Sequence, residues 1–327
     1  MLTYTTQLNT FQTFTDDSTE NRIFGAQLNN DSIRTICNLQ GGKLRFLEAT
    51  KSMFTVASQE SYQIPNGFRK LIDLYIYSGS GSSSDTIYSP EMIFDPTKWK
   101  LVKQYRLGTS DVPYFTYVES QKYLIQPIPS TTGKLITLRG RLNVRDLTIA
   151  DYTTGTIVSV ANGGTAVVGS GTTWTADMVG RYIQIPNTTA ANGGDGFWYE
   201  IGGFIDATNI TLLKPYEGSS IVAGSAEYVI GQVSVIPEAY QMAIVYRSSA
   251  LYWENKQDSA KAKTYWLKYD GGNEAGYSKE YGGLIGQMLA NEGETEEGSY
   301  VPPFGSSNNM VSGTPYYFPW SQATGFN

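Results

Sequence analysis

The chain has 327 residues, of which 40% are hydrophobic and 17% are charged, with a net charge of −6. It contains no histidine and one cysteine, Cys37. These counts exclude a Ser-His-Asp triad, a Cys-His pair, a zinc site with histidine ligands and an intramolecular disulfide. Carboxylate chemistry, a Ser/Lys pair and an oxygen-ligated Ca²⁺ or Mg²⁺ remain open.

The charge pattern bears on nucleic acid and membrane partners. No run of Lys or Arg appears in the sequence, so it predicts no basic face of the kind that grips nucleic acid. An acidic or neutral wall would let a duplex pass without holding it. No apolar run approaches the roughly 18 residues of a membrane span. The first residues also lack the charged and apolar parts of a signal peptide, and we expect no membrane partner.

The first helical signal lies around residues 19–39. Residues 15–18 offer side-chain oxygens for the helix N-terminus, and Gly41-Gly42 is a stop signal. Ile23, Ile33 and Cys37 recur at helical spacing and predict a partly apolar stripe. Cys37 is therefore expected to be a buried, inert thiol.

Residues 43–144 change to short extended runs separated by turns. Residues 78–85 (SGSGSSSD) predict a flexible loop, and the segment Trp99-Lys100-Leu101 is interpreted as a turn between strands. Two β-prone runs, 123–127 and 135–141, are joined by a short turn-rich segment. This pattern predicts a hairpin.

Residues 152–231 are rich in Gly, Thr and Val and almost free of helix formers. They predict a small β-sandwich or barrel inserted in another domain, with its two ends close together. Trp174 is interpreted as part of its core rather than as a platform for sugar. The predicted strands are 156–160, 166–168, 182–185, 197–201, 210–213 and 227–230.

Helix returns at Pro237, which suits the first helical position. A second helix follows after a short turn, capped by Asp258 or Ser259 and ending at Gly271-Gly272, so the two form an antiparallel hairpin. We expect these helices to join subunits. The residues predicted to do so are Ala239, Ala243, Tyr246, Ala250, Trp253, Tyr265 and Trp266.

The last segment, 293–327, has no periodicity, and it mixes Gly, Pro and Ser with aromatic residues. Disordered tails are poor in aromatics. The composition therefore predicts an extended arm that becomes ordered on a partner. Its predicted anchors are Tyr300, Phe304, Tyr316, Tyr317, Phe318, Trp320 and Phe326.

No catalytic, cofactor or metal site is predicted. The glycine pairs lack the strand, helix and lysine that phosphate loops need. Asp16-Asp17 and the acidic cluster at 294–297 do not match a calcium loop. A carboxylate pair for glycoside hydrolysis could still come from distant positions. The sequence predicts a structural protein rather than an enzyme.

Three stretches, taken in chain order, carry a family resemblance. They are Ile33-Arg34-Thr35-Ile36-Cys37 with Tyr62-Gln63-Ile64-Pro65; Tyr88-Ser89-Pro90-Glu91, Asp111-Val112-Pro113-Tyr114-Phe115 and Leu124-Ile125-Gln126-Pro127; and Ile236-Pro237-Glu238-Ala239-Tyr240 with its hairpin. This order resembles the head-to-tail adaptor, or connector, proteins of tailed bacteriophages. The resemblance covers about residues 15–150 and 232–290.

The resemblance implies a ring, usually of twelve subunits, beneath the portal, with a helical bundle around the DNA channel and a C-terminal arm reaching the portal. Implied partners are the portal protein, tail nozzle or tail-tube proteins, fibre proteins and further copies of the chain. Genomic DNA would pass without specific binding. The implied location is the tail or neck of the virion, assembled in the bacterial host cytoplasm.

The expected fold class is α+β, with a helical bundle, short β-strands and an inserted all-β domain. The predicted domains are a discontinuous core at 1–151 and 232–292, the insert at 152–231 and the arm at 293–327. Two alternatives stay open. One is a tail fibre or receptor-binding protein with carbohydrate affinity through residues 152–231, and the other is a capsid decoration protein.

Overall fold

The computed structural model describes residues 1–16, 22–104, 107–187, 193–222, 224–271 and 283–297, with side chains through 292. The chain divides into a large unit, 1–288, and a second unit, 289–327. The fold is α+β, as predicted. The helices in the described residues are α1 (Tyr4–Thr15), α2 (Arg22–Cys37), α3 (Pro96–Gln104), α4 (Met242–Asn255), α5 (Ser259–Asp270) and α6 (Gly283–Glu297).

Four of these helices form a bundle, in which α1 packs on α2 and α4, and α4 packs on α2 and α5. Helix α1 was not predicted, because its Thr-rich sequence has only a narrow apolar face. Leu8 and Phe11 fill that face and are buried. The Thr3 hydroxyl accepts a hydrogen bond from the Thr6 backbone N–H at the helix start (3.2 Å).

The helix predicted at 19–39 is confirmed as α2, and Ile33 and Cys37 are buried in it. Two details of that prediction are wrong. Ile23 is 77% exposed, because the first turn of α2 presents Gly25 rather than Ile23 to the bundle. Residue 15 ends α1 and residue 16 is its left-handed C-cap, so neither caps α2.

Cys37 has no exposed surface, and burial raises the pKa of its thiol to about 12. The neutral thiol is a poor nucleophile. The predicted burial is confirmed.

Two four-stranded sheets lie between α2 and the β-domain in sequence. The first sheet has the order β1-β8-β3-β4 and the second the order β2-β7-β6-β5. The first consists of β1 (Glu48–Phe54), β3 (Phe68–Tyr77), β4 (Ile87–Tyr88) and β8 (Leu135–Leu142). The second consists of β2 (Ser61–Gln63), β5 (Glu91–Ile93), β6 (Phe115–Glu119) and β7 (Lys122–Gln126). Side chains from both sheets share one core, which includes Leu74, Tyr123 and Ile136.

The hairpin predicted from 123–127 and 135–141 is wrong. The first run is β7, which pairs with β6 and β2, and the second is β8, which pairs with β1 and β3. Two β-prone runs with a short connection have the same local pattern whether they pair together or enter two sheets. Only the distant partner strands distinguish the cases.

Residues 99–101 lie in α3 rather than in a turn, which corrects a second prediction. Asp95 begins this helix by accepting a hydrogen bond from the Thr97 backbone N–H (2.8 Å). Trp99 is buried and stacks on Tyr117 with ring centroids 5.3 Å apart. The helix is short, so tertiary packing of Trp99 stabilises it more than its own propensity does.

Residues 156–231 form a six-stranded antiparallel sheet of order β14-β11-β12-β13-β10-β9. All six predicted strands are present. Their ends shift by at most two residues, except that β12 continues five residues beyond its predicted end. They are β9 (Thr156–Val160), β10 (Ala166–Ser170), β11 (Tyr182–Gln184), β12 (Trp198–Asp206), β13 (Asn209–Leu212) and β14 (Val229–Gly231). The sheet curls. At its β9 edge, isolated bridges join Ile157 to Ala226 and Val160 to Ile221.

The inside of this curled sheet is an apolar core of its own. Trp174 is 2% exposed there, and its indole N–H donates to the Tyr228 hydroxyl (3.0 Å). The prediction that Trp174 belongs to the core is confirmed.

The two ends of the β-domain meet at the N-terminal residues. The Thr3 hydroxyl donates to the Asp151 carboxylate (2.6 Å), and the Tyr4 backbone N–H donates to the Gln232 carbonyl (2.8 Å). Gln232 also accepts hydrogen bonds from the backbone of Thr148 and Ile149 (2.8 and 2.9 Å). The predicted closeness of the two ends is therefore confirmed.

No helix within the described ranges combines the length and apolarity needed to cross a membrane.

Candidate interaction surfaces

Helices α4 and α5 form the predicted hairpin. Asp258 caps α5 by accepting a hydrogen bond from the Lys261 backbone N–H (3.1 Å), and Gly271 ends it with a φ of 82°. The start of α4 differs from the prediction. Pro237 is extended (φ −52°, ψ 143°) and precedes a 3-10 turn at Glu238–Tyr240. Proline fixes only φ, so this ψ delays the α-helix to Met242.

The residues predicted to join subunits divide by exposure. Ala243 and Ala250 have no exposed surface, since both are packed inside the bundle. Ala239 is exposed in the 3-10 turn. The aromatic members, listed here, are half-buried: Tyr246, Trp253, Tyr265 and Trp266.

Three of these aromatic residues hold the end of α1. The Phe14 carbonyl accepts hydrogen bonds from the Trp253 indole (3.3 Å) and the Tyr265 hydroxyl (3.0 Å). The Phe14 ring stacks on Tyr246, with centroids 6.0 Å apart. A helix ends with carbonyls that lack helical partners, so the α4–α5 hairpin satisfies one of these groups in α1.

A lysine covers the same cluster. The Lys268 ammonium lies 5.9, 5.5 and 5.6 Å from the ring centroids of Phe14, Tyr246 and Tyr265. Such contacts contribute about 0.5–1 kcal/mol each at exposed sites. Burial first, and then the negative charge of Asp16, raises the pKa of Tyr265. The Tyr265 hydroxyl therefore keeps the proton that it donates.

Trp266 makes a further contact between the two helices, because its indole donates to the Glu254 carboxylate (2.7 Å). The predicted aromatic residues thus contribute to the stability of one subunit. Their part in contacts between subunits stays a prediction.

The bundle interior is partly polar. The Ser32 and Ser248 hydroxyls are hydrogen-bonded across α2 and α4 (3.1 Å). At the bundle surface, the Arg247 guanidinium donates to the exposed Asp31 carboxylate (2.9 Å). Asn29 is 1% exposed, and neither atom of its amide has a hydrogen-bond partner among the described residues. Polar contacts of this kind fix the register of two helices at a cost in stability.

The predicted C-terminal arm lies mostly outside the described residues, and its seven aromatic anchors all do so. Helix α6 extends to Glu297, so residues 293–297, at the start of the predicted arm, are helical.

The β-domain presents apolar side chains on its outside. Phe197, Ile205, Leu213 and Val222 are 60–77% exposed. Contact between this domain and a fibre protein or a neighbouring subunit stays a prediction.

The acidic residues form no metal centre where the structure can be read. No group of three His, Cys, Asp or Glu side chains within the described ranges is arranged to hold an ion. The side chains of the acidic cluster at 294–297 lie outside those ranges.

A basic surface that the sequence did not predict surrounds one end of the first sheet, where β1 and β3 begin and β8 ends. We call it the basic end. Its residues come from three separate segments of the chain. They are Arg34, Lys43, Arg45 and Lys51; Arg69 and Lys70; and Arg139, Arg141 and Arg145.

Strand pairing brings the three segments together. Arg141 lies between Glu48 of β1 and Lys70 of β3, and Arg139 lies between Thr50 and Asp73 in the next row. Hydrogen bonds attach the flanking loops. The Arg69 guanidinium donates to the Asn38 side chain (2.6 Å) and the Lys51 ammonium to the Asn66 carbonyl (2.6 Å), and Arg34 is ion-paired with Asp146.

The basic end carries more positive than negative side chains. Its nine basic residues lie together with three acidic ones, Glu48, Asp73 and Asp146, in a chain of net charge −6. A hydrogen bond and ion pair with Glu48 raise the pKa of Arg139. The sequence pattern did not show this cluster, because its residues come from three segments that are distant along the chain.

Comparison with known proteins places the chain in a family. Residues 2–165 match the SU10 adaptor protein family. The match contains α1 to α3, both four-stranded sheets and the first strand of the β-domain, and it spans half of the 327 residues. No curated protein matches the chain. The chain therefore belongs to the SU10 adaptor protein family and is a structural adaptor protein of a phage.

Proposed function

We propose that the protein is a head-to-tail adaptor that forms a ring, of about twelve copies, beneath the portal and joins capsid to tail around the DNA path. The single observation that supports this most directly is the family match over residues 2–165. The proposed role is structural rather than enzymatic.

A ring needs two different surfaces on each subunit that fit one another and close by rotation. The family-matched region offers exposed apolar side chains for such contacts, including Phe54, Phe94 and Tyr114, which are 54–61% exposed. Only 17% of the residues are charged and the chain has 24 tyrosines, a composition that suits extensive protein–protein contact.

The proposed contact with the portal uses the C-terminal arm. Its aromatic residues include Tyr and Trp, which are enriched among the anchors of protein interfaces. The family match ends at residue 165, so this part of the proposal rests on composition.

The test of the ring is the mass and shape of the purified protein, with and without its portal, by light scattering and negative-stain microscopy. We expect a ring of about twelve subunits, alone or on the portal. A stable trimer, or no association with the portal, would instead favour a fibre or receptor-binding protein.

The test of the arm uses two variants of the full chain. Tyr316→Ala/Tyr317→Ala/Trp320→Ala should abolish co-sedimentation with the portal while leaving the circular dichroism spectrum unchanged. The control, Ser306→Ala/Ser307→Ala/Asn308→Ala, changes the same number of residues in the same segment and should bind normally. Equal portal binding by both variants would contradict the assignment of the aromatic anchors.

A further inference from the structure

We propose that the basic end of the first sheet contacts the phosphate backbone of duplex DNA without reading its sequence. This inference rests on the proposed function in one respect: a ring around the DNA path would have duplex DNA beside it. The binding chemistry comes from the nine basic residues defined above and from their arrangement.

The exposure of these residues suits a large, solvent-facing ligand. Seven of the nine are exposed and the other two, Lys51 and Arg141, are half-buried. The described residues show no acidic partner for Lys43, Lys51, Arg69, Lys70 or Arg145. These cations are therefore available to an external anion.

The groups around the cations also suit phosphate. Thr50, Ser52 and Thr137 lie on the same face of the sheet as Arg139 and Arg141, because alternate residues of a strand share a face and paired residues of neighbouring strands do too. Hydroxyl, guanidinium and ammonium groups are the side chains that commonly contact DNA phosphates.

An acidic protein segment is a second polyanion that could bind the basic end. Stable protein interfaces have an apolar or aromatic centre. The paired rows at the basic end are polar or charged instead: Glu48, Arg141 and Lys70 form one row, and Thr50, Arg139 and Asp73 the next. This composition favours nucleic acid.

The carboxylates inside the basic end position its arginines. Glu48 lies 3.9 Å from Arg141 and is also hydrogen-bonded to Arg139, and Asp73 lies 3.9 Å from Arg139. Shared carboxylates hold the two guanidinium groups on the sheet surface and reduce the entropy that they would lose on binding.

The experiment measures binding of a fluorescent 30-base-pair duplex by anisotropy, at several salt concentrations, with the full-length protein. The test variant is Lys43→Glu/Lys70→Glu/Arg145→Glu, whose three side chains are exposed. The control is Lys98→Glu/Lys100→Glu/Lys122→Glu, which makes the same change of net charge at exposed positions of α3 and β7. Thermal melting checks that each variant is folded.

We expect the wild-type protein to bind the duplex with a Kd of about 1–100 μM. The test variant should bind at least about tenfold more weakly, and its plot of log K against log salt should lose a slope of about three, one for each phosphate contact removed. The control should stay within about threefold of the wild-type affinity, because its changes lie away from the basic end.

Two results would overturn the proposal. One is equal DNA affinity in the two variants, whether both keep it or both lose it. The other is a wild-type protein that fails to bind DNA at low salt. If, in addition, the test variant alone loses ring or portal association in light scattering, the basic end binds an acidic protein partner instead. Intact rings without DNA binding would leave the proposed function standing and reject only this inference.

Discussion

The side-chain amide of Asn30 is hydrogen-bonded to both backbone groups of Leu147: Nδ2 donates to the carbonyl (3.0 Å) and Oδ1 accepts from the N–H (2.9 Å). Asn30 lies on α2, and Leu147 lies in the segment between the first sheet and the β-domain. Both are almost fully buried, with exposed fractions of 9% and 6%. One asparagine therefore joins the bundle to the sheet region in place of a backbone pairing.

We expect Asn30→Ala to lower the free energy of unfolding by about 2 kcal/mol, because it leaves two buried backbone groups without partners. Urea unfolding followed by circular dichroism measures this change. Asn9→Ala, at an exposed position on α1, is the control and should stay within about 0.5 kcal/mol. Similar losses in the two variants would contradict the role assigned to Asn30.

Gly25 is required by the close approach of Phe11. A Cβ atom at Gly25 would lie 2.6 Å from Cε1 of Phe11. Glycine to alanine ordinarily stabilises a helix by up to about 1 kcal/mol, but here we expect Gly25→Ala to destabilise the protein by about 1–3 kcal/mol through overpacking. The double variant Phe11→Leu/Gly25→Ala should recover part of the loss. A more stable Gly25→Ala protein would show that α1 and α2 are packed less closely.

The buried indole of Trp174 supports the β-domain from within. We expect Trp174→Ala to destabilise this domain by about 3–5 kcal/mol. Trp174→Phe should cost less, about 1–3 kcal/mol, since a ring remains in the core but the hydrogen bond to Tyr228 and part of the packing are lost. Phe197→Ala, at a 66% exposed position, is the control and should change stability little. Thermal unfolding measures all three. A tolerated Trp174→Ala substitution would reopen a ligand-binding role for this residue.

The lowered pKa of Asp111 makes the free energy of unfolding depend on pH in the acid range. Burial alone would raise the pKa of Asp111, but hydrogen bonds from Ser130, Lys134 and Thr131 hold it well below its ordinary value. A carboxyl with a lowered folded-state pKa stabilises the protein above its unfolded pKa of about 3.9, and this contribution is lost as the pH falls through the folded-state pKa.

We therefore expect Asp111→Asn to lose about 1–2 kcal/mol at pH 7. The difference from the wild-type protein should shrink progressively as the pH falls below about 4. Urea unfolding at pH 7, 5, 4 and 3 provides the comparison. A difference that stays constant across this range would mean that the charge of Asp111 contributes nothing.

Local signals predicted the β-domain and the α4–α5 hairpin well. Most strands of the β-domain are separated by segments rich in glycine, and the Asp258 cap and Gly271 stop are encoded within a few residues of α5. Such features depend on neighbours in sequence, so a single sequence shows them.

Features that depend on distant segments were missed. The separation of β7 and β8 into two sheets is determined by their pairing with β1, β3 and β6. The local sequence around β7 and β8 does not indicate these partner strands. The basic end needed three segments to meet. Its one sequence signal was the alternation of Arg139 and Arg141, which places two cations on the same face of a strand.

The attachment of the β-domain has a mechanical consequence. The chain enters and leaves this domain at neighbouring points, near Asp151 and Gln232, and Thr3 and Tyr4 bridge them. A force that pulls on the domain is therefore shared by two covalent connections and several hydrogen bonds that act in parallel. Bonds loaded together resist rupture better than bonds loaded one after another. The N-terminal residues thus stiffen the connection between the β-domain and the rest of the chain, and part of the load reaches α1 through Thr3 and Tyr4.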